Sequence, residues 1–331
     1  MIQSPPSATT SSCSLSLSTF NAESTYAAYY GSDNHIVLNA LVGMIGLKPT
    51  INAILKGRTI LLANKETLVV GGEIIEKIKK DMDVKIIPID SEHSAIMQSL
   101  EGHTKDEVKE LIITASGGAF RDKTRDELEN VTIEDALKHP NWAMGKKITV
   151  DCATMVNKGL EVMEAHFLFS MPYEKIKTVL HFESIIHSLV KYNDGSIICE
   201  MAKPDMRIPI QYAITYPKKC DFKLDSALDI DNLNMSFKKM NFERYPMLEL
   251  AYKVGKMGGL MPTVYNSTNE ACVKLFIDKK IKFLDIEKII SKMCASYEKI
   301  NKKDVSLEDV ISLDKKIKEE VLSNYENLLK D

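Results

Sequence analysis

The pattern of apolar and polar positions in the first third of the chain is typical of strands joined by helices. The apolar run TILLAN (59–64) and the run VKIIPID (84–90) predict two buried strands. The segment LVVGGEIIEKIKKDM (68–82) between them predicts a helix, and PTINAILKG (49–57) predicts another. Because a helix separates successive strands, this order predicts a parallel sheet with crossover helices.

Further along, the pattern predicts a second mixed unit and then a purely helical one. The second unit has a strand at 110–116, a helix and then a loop around Pro140 within 122–142, a strand at 146–151, a helix at 157–169 and a β-hairpin at 178–201 that turns at Asn193-Asp194-Gly195. From about Phe242 onward, the helical period returns at 246–257, 267–281, 284–300 and 306–330. The fold class is therefore predicted to be α/β with a C-terminal helical bundle.

Composition and charge narrow the classes of function. The 331 residues are 44% hydrophobic and 27% charged, which is a globular composition with room for two or three domains. The net charge is −3 and lysines alternate with acids, so we expect no nucleic-acid partner. Six scattered cysteines without a C-x-x-C pair indicate a reduced intracellular protein. No apolar run has membrane-spanning length, so we expect no membrane partner.

The first 34 residues differ in kind from the rest. They are rich in Ser and Thr, contain no Lys or Arg, and have no long apolar core. A secretory signal needs a basic start and an apolar centre, and a transit peptide is rich in Arg as well as Ser. We therefore expect residues 1–34 to be a disordered tail or a faulty start to the chain.

Two acids follow the predicted strand VKIIPID. In extended backbone, Asp90 and Glu92 face the same side, so their carboxylates would point to one place. Neighbouring carboxylates repel unless a cation or a proton lies between them, and Mg²⁺ or Mn²⁺ suits a site made of oxygen ligands. The alternative, favoured for a D-x-E pair alone, is a polar loop with solvated acids.

The segment VDCATMVNKGLEVME (150–164) reads as a strand that runs into a helix. On that helix, Asn157, Lys158 and Glu161 are neighbours, either as a surface ion pair or as a site in which Glu161 is a third carboxylate on a metal. Gly159 weakens the helix, which indicates close approach of another group such as a ligand. Cys152 is open to three interpretations: a nucleophile, a metal ligand or neither.

Weaker signals lie at other predicted strand ends. Ser116-Gly117-Gly118 can form a nest of backbone N–H groups for phosphate, although such a sequence also makes plain turns. His139-Pro140-Asn141-Trp142 places a histidine and the only tryptophan on a loop that could exclude water, although a lone tryptophan is more often in the core. Asn64-Lys65-Glu66 is a third polar cluster. Taken together, the clusters have the layout of a metal-dependent phosphosugar enzyme.

Several long motifs, in order, resemble the 1-deoxy-D-xylulose 5-phosphate reductoisomerase family. They are LANKETLV, PIDSEHSAIMQSL, ASGGAFR, KHPNWAMGKKITVDCATMVNKGLEVMEAHFLF, IIHSLV, KPDMRIPIQYA and PTVYNSTNEA. The resemblance runs from about His35 to the C-terminus and does not include residues 1–34. It implies a remnant of a parallel-sheet nucleotide-binding domain (35–82), an α+β catalytic domain (83–217), a linker (218–241) and a C-terminal helical domain (242–331).

The resemblance also implies an activity and its site. The family uses NADPH and Mg²⁺ or Mn²⁺ to isomerise 1-deoxy-D-xylulose 5-phosphate and reduce it to 2-C-methyl-D-erythritol 4-phosphate, in the non-mevalonate pathway to isoprenoids. By motif match, the metal ligands are Asp90, Glu92 and Glu161. The implied catalytic residues are Lys65, Glu92, His139, Lys158 and Glu161. The implied substrate contacts are Lys65, Ser91, Glu92, Ser116, His139, Trp142, Met144, Cys152, Asn157, Lys158, Glu161, His187 and Met206, and the implied NADPH contacts are Asn64, Glu66 and Gly145.

The chain departs from the family pattern in three places. Cys152 replaces a serine that contacts the substrate phosphate, and the segment HFES with Phe182 and Glu183 replaces HPQS. The glycine-rich G-S-T-G-S-I-G type of motif that seats the NADPH pyrophosphate is not found, so we expect weaker NADPH binding.

These departures leave a second hypothesis, a truncated remnant that binds metal and phosphosugar without reducing it. The resemblance further implies a homodimer in the bacterial cytosol, with the plastid as the alternative compartment.

Overall fold

The computed structural model of the chain describes residues 36–221 and 228–330. The tail predicted for residues 1–34 lies outside the described residues, and so do residues 222–227 of the predicted linker. The described residues form two β-sheets and eleven α-helices, together with short 3₁₀ turns at Met44–Gly46, Lys105–Glu107, Asp126–Leu128 and Tyr173–Lys175.

The first sheet is parallel, as the strand–helix–strand order predicts. It consists of β1 (Ile36–Asn39), β2 (Thr59–Leu62) and β3 (Ile86–Pro88), in the order β1-β2-β3. Helices α1 (Leu47–Leu55) and α2 (Glu66–Lys79) make the crossovers. Because this sheet is parallel, the carboxyl ends of its strands lie at one edge, where Lys65 and Asp90 follow β2 and β3.

The second sheet is mixed and has the order β7-β6-β4-β5-β8. Its strands are β4 (Val108–Ala115), β5 (Ile176–Leu180), β6 (Ile186–Tyr192), β7 (Ile197–Met201) and β8 (Lys238–Lys239). Strands β4 and β5 are parallel, and the other neighbours are antiparallel. The predicted hairpin is confirmed: β6 and β7 pair on either side of the turn that contains Gly195, whose φ is +92°.

Helices connect and cover the two sheets. In chain order they are α3 (Ser91–Ser99), α4 (Ile133–Ala136), α5 (Lys146–Thr154), α6 (Val156–Phe169), α7 (Arg207–Thr215), α8 (Pro246–Met257), α9 (Met261–Ile277), α10 (Phe283–Glu298) and α11 (Leu307–Leu328). Helix α9 is the buried centre of the C-terminal helices, and Tyr265 on it is fully buried. It begins at Met261, earlier than predicted, with Pro262 in its first turn.

The strand predicted at 146–151 is wrong, because these residues belong to helix α5. The run of Ile148, Thr149 and Val150 is β-branched and short, so it favours a strand when read alone. An ion pair between Lys147 and Asp151, four residues apart, stabilises the helix instead. The segment 150–164 is therefore a junction between two helices, broken at Met155, whose φ of +66° is left-handed.

Two local predictions about side-chain direction also need correction. The extended backbone does not continue to Glu92, which lies in the first turn of α3; Asp90 is the N-cap of that helix and accepts hydrogen bonds from the backbone N–H groups of Glu92 (3.1 Å) and His93 (3.4 Å). Gly159 allows close approach of a helix, not of a ligand: a Cβ there would lie 2.5 Å from Cβ of Ala251 on α8.

Among the helices that the structure describes, none is both long enough and apolar enough to cross a membrane.

Candidate functional site

A cleft of about 240 Å³ opens between the carboxyl edge of the first sheet, the end of β4 and the α5–α6 junction. Every residue predicted to contact the substrate lines this cleft, together with Asp90. These residues are Lys65, Ser91, Glu92, Ser116, His139, Trp142, Met144, Cys152, Asn157, Lys158, Glu161, His187 and Met206. Sequence positions as far apart as 65 and 206 therefore meet in one concave surface.

Three carboxylates converge at the inner end of the cleft. Asp90 and Glu92 come from the start of α3, and Glu161 comes from the second turn of α6. One oxygen from each lies within 4.8 Å of the others, so these side chains form a group that could hold a metal ion. They are the three residues that the motif match implies as metal ligands.

Two lysines lie among these carboxylates. Nζ of Lys65 donates to Asp90 (2.9 Å), Glu161 (3.1 Å) and the side-chain oxygen of Asn157 (2.9 Å). Nζ of Lys158 donates to Glu92 at 2.8 Å and also pairs with Glu161. All five side chains are at least partly buried, so their charges interact in a medium of low effective dielectric constant.

Burial and mutual attraction set the protonation of this group. Burial lowers the pKa of Lys65, but the attraction of Asp90 and Glu161 outweighs it, so that pKa is well above its ordinary value. Burial likewise raises the pKa of Asp90, but Lys65 and His93 outweigh it and hold that pKa well below its ordinary value. The pKa of Glu161 is raised, first by burial and then by repulsion from Glu92.

A second buried layer, which the sequence did not reveal, supports the carboxylates. His93 is fully buried; its Nδ1 lies 3.1 Å from Asp90 and 3.2 Å from Glu164, and its Nε2 lies 2.9 Å from the backbone oxygen of Glu161. Attraction to Glu164 and Asp90 outweighs burial and raises the pKa of His93 to about 9. Glu164 follows Glu161 by three residues, so helical spacing was the signal for it.

His139 lies on the loop over the cleft, half-buried. Its Nδ1 accepts hydrogen bonds from the backbone N–H groups of Asn141 (3.2 Å) and Trp142 (3.0 Å), so it carries no proton. Burial, and then repulsion from Arg121, lower the pKa of His139 to about 4. The imidazole is therefore neutral at physiological pH, and its Nε2–H faces Oγ of Ser116 at 3.1 Å.

The roof loop, residues 138–145, is held over the cleft by contacts at its middle. Nδ2 of Asn141 donates to the backbone oxygen of Phe182 and to Oγ of Ser184, each at 2.7 Å. The ring of Trp142 lies 5.9 Å from that of His187. Sequence reasoning missed Ser184, whose φ is +53°. It also missed other lining residues, namely Ala63, Thr114, Ala115, Ala143, Ile148 and Met155.

Ser116, Gly117 and Gly118 lie at the end of β4, with φ of +86° and +71° at the two glycines. A Cβ on Gly118 would lie 2.6 Å from the backbone oxygen of Cys152, so only glycine lets the loop lie against α5. Burial, and then the charge of Glu161, raise the pKa of the Cys152 thiol. The thiol of Cys152 is protonated, so it is not an activated nucleophile. It is also not one of the three side chains that could hold a metal ion.

The three residues predicted to contact NADPH do not line the cleft. Nδ2 of Asn64 donates to the backbone oxygens of Leu41 (2.6 Å) and Gly43 (2.9 Å) and to Glu66 (3.2 Å). The other carboxylate oxygen of Glu66 accepts from Lys147 at 3.0 Å. Gly145, at the start of α5, is exposed, and a Cβ there would meet open space.

Three family models match the chain in order. Residues 8–72 match 1-deoxy-D-xylulose 5-phosphate reductoisomerase, residues 86–169 match the 1-deoxy-D-xylulose 5-phosphate reductoisomerase C-terminal domain, and residues 201–320 match the DXP reductoisomerase C-terminal domain. The first match begins ahead of the motifs quoted from residue 35 onward.

Individual relatives agree with the family models. The chain is 51% identical over 294 residues to the 1-deoxy-D-xylulose 5-phosphate reductoisomerase of Clostridium kluyveri, which covers 88% of this chain and 76% of the relative. Two solved structures are similar in fold. One is DOX-P reductoisomerase in complex with NADPH, fosmidomycin and magnesium, with a TM-score of 0.86 and 34% identity over 93% of this chain and 80% of that chain. The other is the Zymomonas mobilis 1-deoxy-D-xylulose 5-phosphate reductoisomerase in complex with NADPH, with a TM-score of 0.85 and 41% identity over 92% of this chain and 78% of that chain. This chain belongs to the 1-deoxy-D-xylulose 5-phosphate reductoisomerase family.

Proposed function

We infer that this protein is a reductoisomerase that converts 1-deoxy-D-xylulose 5-phosphate into 2-C-methyl-D-erythritol 4-phosphate, using NADPH and Mg²⁺ or Mn²⁺. One observation carries the inference: in a chain of this family, three carboxylates and two lysines from distant segments meet in one cleft with every other predicted substrate contact. The second hypothesis, a remnant that binds phosphosugar without reducing it, finds no support among the relatives.

The carboxylate group fits a divalent metal. Asp90, Glu92 and Glu161 supply oxygen atoms within 4.8 Å of one another, which is the donor chemistry that Mg²⁺ and Mn²⁺ prefer. The pKa of Glu161 is raised first by burial and then by repulsion from Glu92, and a bound cation would relieve that repulsion. When bound, the metal would polarise the ketone and hydroxyl oxygens of the substrate.

The lysines and Asn157 orient the substrate around the carboxylates. Lys65 and Lys158 are buried ammonium groups with three donors each, and the Asn157 amide lies between Lys65 and Glu161. Ser116 and the backbone of the following glycines offer further donors at the other end of the cleft. We assign the phosphate and hydroxyl groups of the substrate to these donors, with Cys152 beside them.

His139 and the roof loop complete the site. Because Nδ1 of His139 is bound to the backbone, the neutral ring can offer only its Nε2–H to the cleft. We propose that this proton hydrogen-bonds to the substrate, and that Trp142 and Met144 cover the substrate and exclude water.

NADPH would supply the hydride for the reduction. Of the three predicted contacts, Gly145 fits direct contact with the cofactor, because it is exposed and has open space beside it. Asn64 and Glu66 fit a supporting role, because their side-chain groups are bound within the protein. We therefore propose that they shape the loop after β1 on the cofactor side of the cleft.

The domain division implied by the motifs remains a proposal. The first sheet lies in the proposed nucleotide-binding part (35–82), apart from β3, which follows it. Most of the second sheet lies in the proposed catalytic part (83–217), β8 lies in the proposed linker (218–241), and the last four helices form the C-terminal part (242–331). Nδ2 of Asn269 on α9 donates to Asp151 on α5, so a side-chain hydrogen bond joins the proposed C-terminal part to the proposed catalytic part.

We also propose a homodimer in the cytoplasm of a bacterial cell. Strand β7 is an edge of the second sheet, and Ile197, Ile198 and Met201 on it are 51%, 38% and 36% exposed. A second copy of β7 would cover these side chains and pair the free edge. Sedimentation of the purified protein checks this, and a monomer at micromolar concentration would contradict it. The relatives named above come from bacteria, which supports the compartment.

The test of the activity is product analysis. The purified chain is incubated with 1-deoxy-D-xylulose 5-phosphate, NADPH and Mn²⁺, and the phosphorylated products are identified by mass spectrometry. We expect a product two hydrogens heavier than the substrate, consistent with 2-C-methyl-D-erythritol 4-phosphate. Recovery of unchanged substrate would contradict the assignment.

A further inference from the structure

A network of polar side chains joins three helices beside the cleft, and its central member, Lys147, is 24% exposed. Nζ of Lys147 on α5 donates to Glu66 on α2 at 3.0 Å and to Asp151 on α5 at 2.9 Å. The other oxygen of Asp151 accepts from Nδ2 of Asn269 on α9 at 2.8 Å. The side chains of Glu66 and Asp151 are 9% and 2% exposed, so these charges have little contact with solvent.

Lys147 lies between two parts of the site. Its partner Glu66 directly follows Lys65, which contacts Asp90 and Glu161. Two residues before Lys147, Gly145 is the N-cap of α5 and ends the roof loop that carries Trp142. The ion pair between Lys147 and Glu66 therefore joins the N-terminal end of α5, next to the roof loop, to the N-terminal end of α2. Lys65 is the residue that directly precedes α2.

The charges of Glu66, Lys147 and Asp151 explain why this contact would hold the two helices in place. Two buried carboxylates with one ammonium between them require that ammonium, because removing it leaves like charges in a medium of low dielectric constant. Burial lowers the pKa of Lys147, but attraction to Asp151 and Glu66 outweighs it and raises that pKa, so the residue stays charged. The adjacent Lys146 is exposed and supplies a matched comparison.

We propose that Lys147 is a positioning residue: through Glu66 and Asp151, it fixes the start of α5 and the roof loop relative to Lys65. The kinetic part of this proposal rests on the proposed function. The structural part does not, because it concerns the roof loop of the free protein.

The structural part is tested through Trp142, the only tryptophan of the chain, which reports on the roof loop. Acrylamide quenching of its fluorescence is measured in the purified protein without substrate, metal or NADPH. We expect Lys147→Met and Glu66→Gln to increase the quenching constant about two-fold or more, as the loop loses its anchor. We expect Lys146→Met, the same change one residue earlier, to leave it at the wild-type value.

The kinetic part is tested with the same variants. We expect Lys147→Met to lower kcat/KM by about 10- to 100-fold, as misplacement of the groups around a reacting centre does. Lys147→Arg retains the charge and should recover part of the loss. The double variant Glu66→Gln/Lys147→Met should be no worse than the poorer single variant, because each single change already disrupts the ion pair between Lys147 and Glu66.

Each outcome decides. Equal quenching in Lys147→Met and Lys146→Met, with both variants folded, would overturn the proposal whether or not the protein has reductoisomerase activity. Additive losses in the double variant would also overturn it, since they would mean independent effects. If Lys147→Met does not fold, Glu66→Gln alone is compared with Lys146→Met, and unchanged quenching in Glu66→Gln is the contrary result.

Discussion

Lys158 and Glu92 lie 66 positions apart in the chain, and Nζ of Lys158 donates to Glu92 at 2.8 Å. The pair joins the first turn of α6 to the first turn of α3. Both helices begin at the cleft, so their N-terminal turns carry the charged side chains of the site.

Loss of one carboxylate should weaken metal binding. In Glu161→Gln an amide replaces the acid at the centre of the group, so we expect the affinity for Mn²⁺ to fall by roughly ten-fold or more. Isothermal titration calorimetry with Mn²⁺ measures this. The matched control is Glu76→Gln, which changes an exposed acid on α2. An unchanged affinity in Glu161→Gln would remove Glu161 from the proposed metal site.

Restoring the family's serine at position 152 should strengthen phosphate binding. A hydroxyl is a better hydrogen-bond donor than a thiol, so we expect Cys152→Ser to lower the KM for 1-deoxy-D-xylulose 5-phosphate by about three- to ten-fold, the worth of one hydrogen bond. Cys220→Ser, at an exposed cysteine, is the control and should leave KM unchanged. A KM that stays the same or rises in Cys152→Ser would show that position 152 does not limit phosphate binding.

The half-buried imidazole of His139 predicts a loss of stability in acid. Its pKa is about 4 in the folded protein against an ordinary value of 6.5, so between these values the unfolded chain binds more protons. The contribution of His139 to the free energy of unfolding is therefore constant above pH 6.5 and falls as the pH drops toward 4. His139→Gln has no such titrating group, so its stability relative to wild type should rise as the pH falls from 6.5 toward 4. Denaturant unfolding at several pH values measures the difference, and a pH-independent difference would contradict it.

Gly159 should be required for the packing of α6 on α8. A Cβ at position 159 would lie 2.5 Å from Cβ of Ala251, so we expect Gly159→Ala to destabilise the protein by about 1–3 kcal/mol despite its better helix propensity. Urea unfolding gives the free energy. Adding Ala251→Gly removes the clash and should recover part of the loss. If Gly159→Ala is as stable as wild type, the two helices are not in the close contact described.

The sequence predicted those features of the fold that depend on local pattern. Periodicity predicted strands β2 and β3 of the parallel sheet, the hairpin around Gly195 and the C-terminal helices, but it did not predict β1. It was wrong at 146–151, because a short run of β-branched residues favours a strand until its ion pairs are known. Lys147 and Asp151 are four apart, which is helical spacing, and this was the signal that could have corrected the prediction.

The site is built from contacts between residues far apart in the sequence, and local spacing does not predict such contacts. Lys65 meets Asn157 across 92 positions of the chain, and only the family's motifs brought these residues together before the structure did. Motif matching also assigned Glu66 to the cofactor without showing that Lys147 binds its carboxylate. His93 and Glu164 were missed because a buried polar pair has no distinctive sequence pattern, although Glu164 lies one helical turn after Glu161.

The most direct measurement follows NADPH oxidation by the purified chain in the presence of 1-deoxy-D-xylulose 5-phosphate and Mn²⁺, with Glu161→Gln as the comparison. We expect oxidation of one NADPH for each substrate molecule consumed, dependent on both substrate and Mn²⁺ and lost in Glu161→Gln. Substrate that binds, as seen by calorimetry, while NADPH remains unoxidised would contradict the central claim that this chain is a working reductoisomerase.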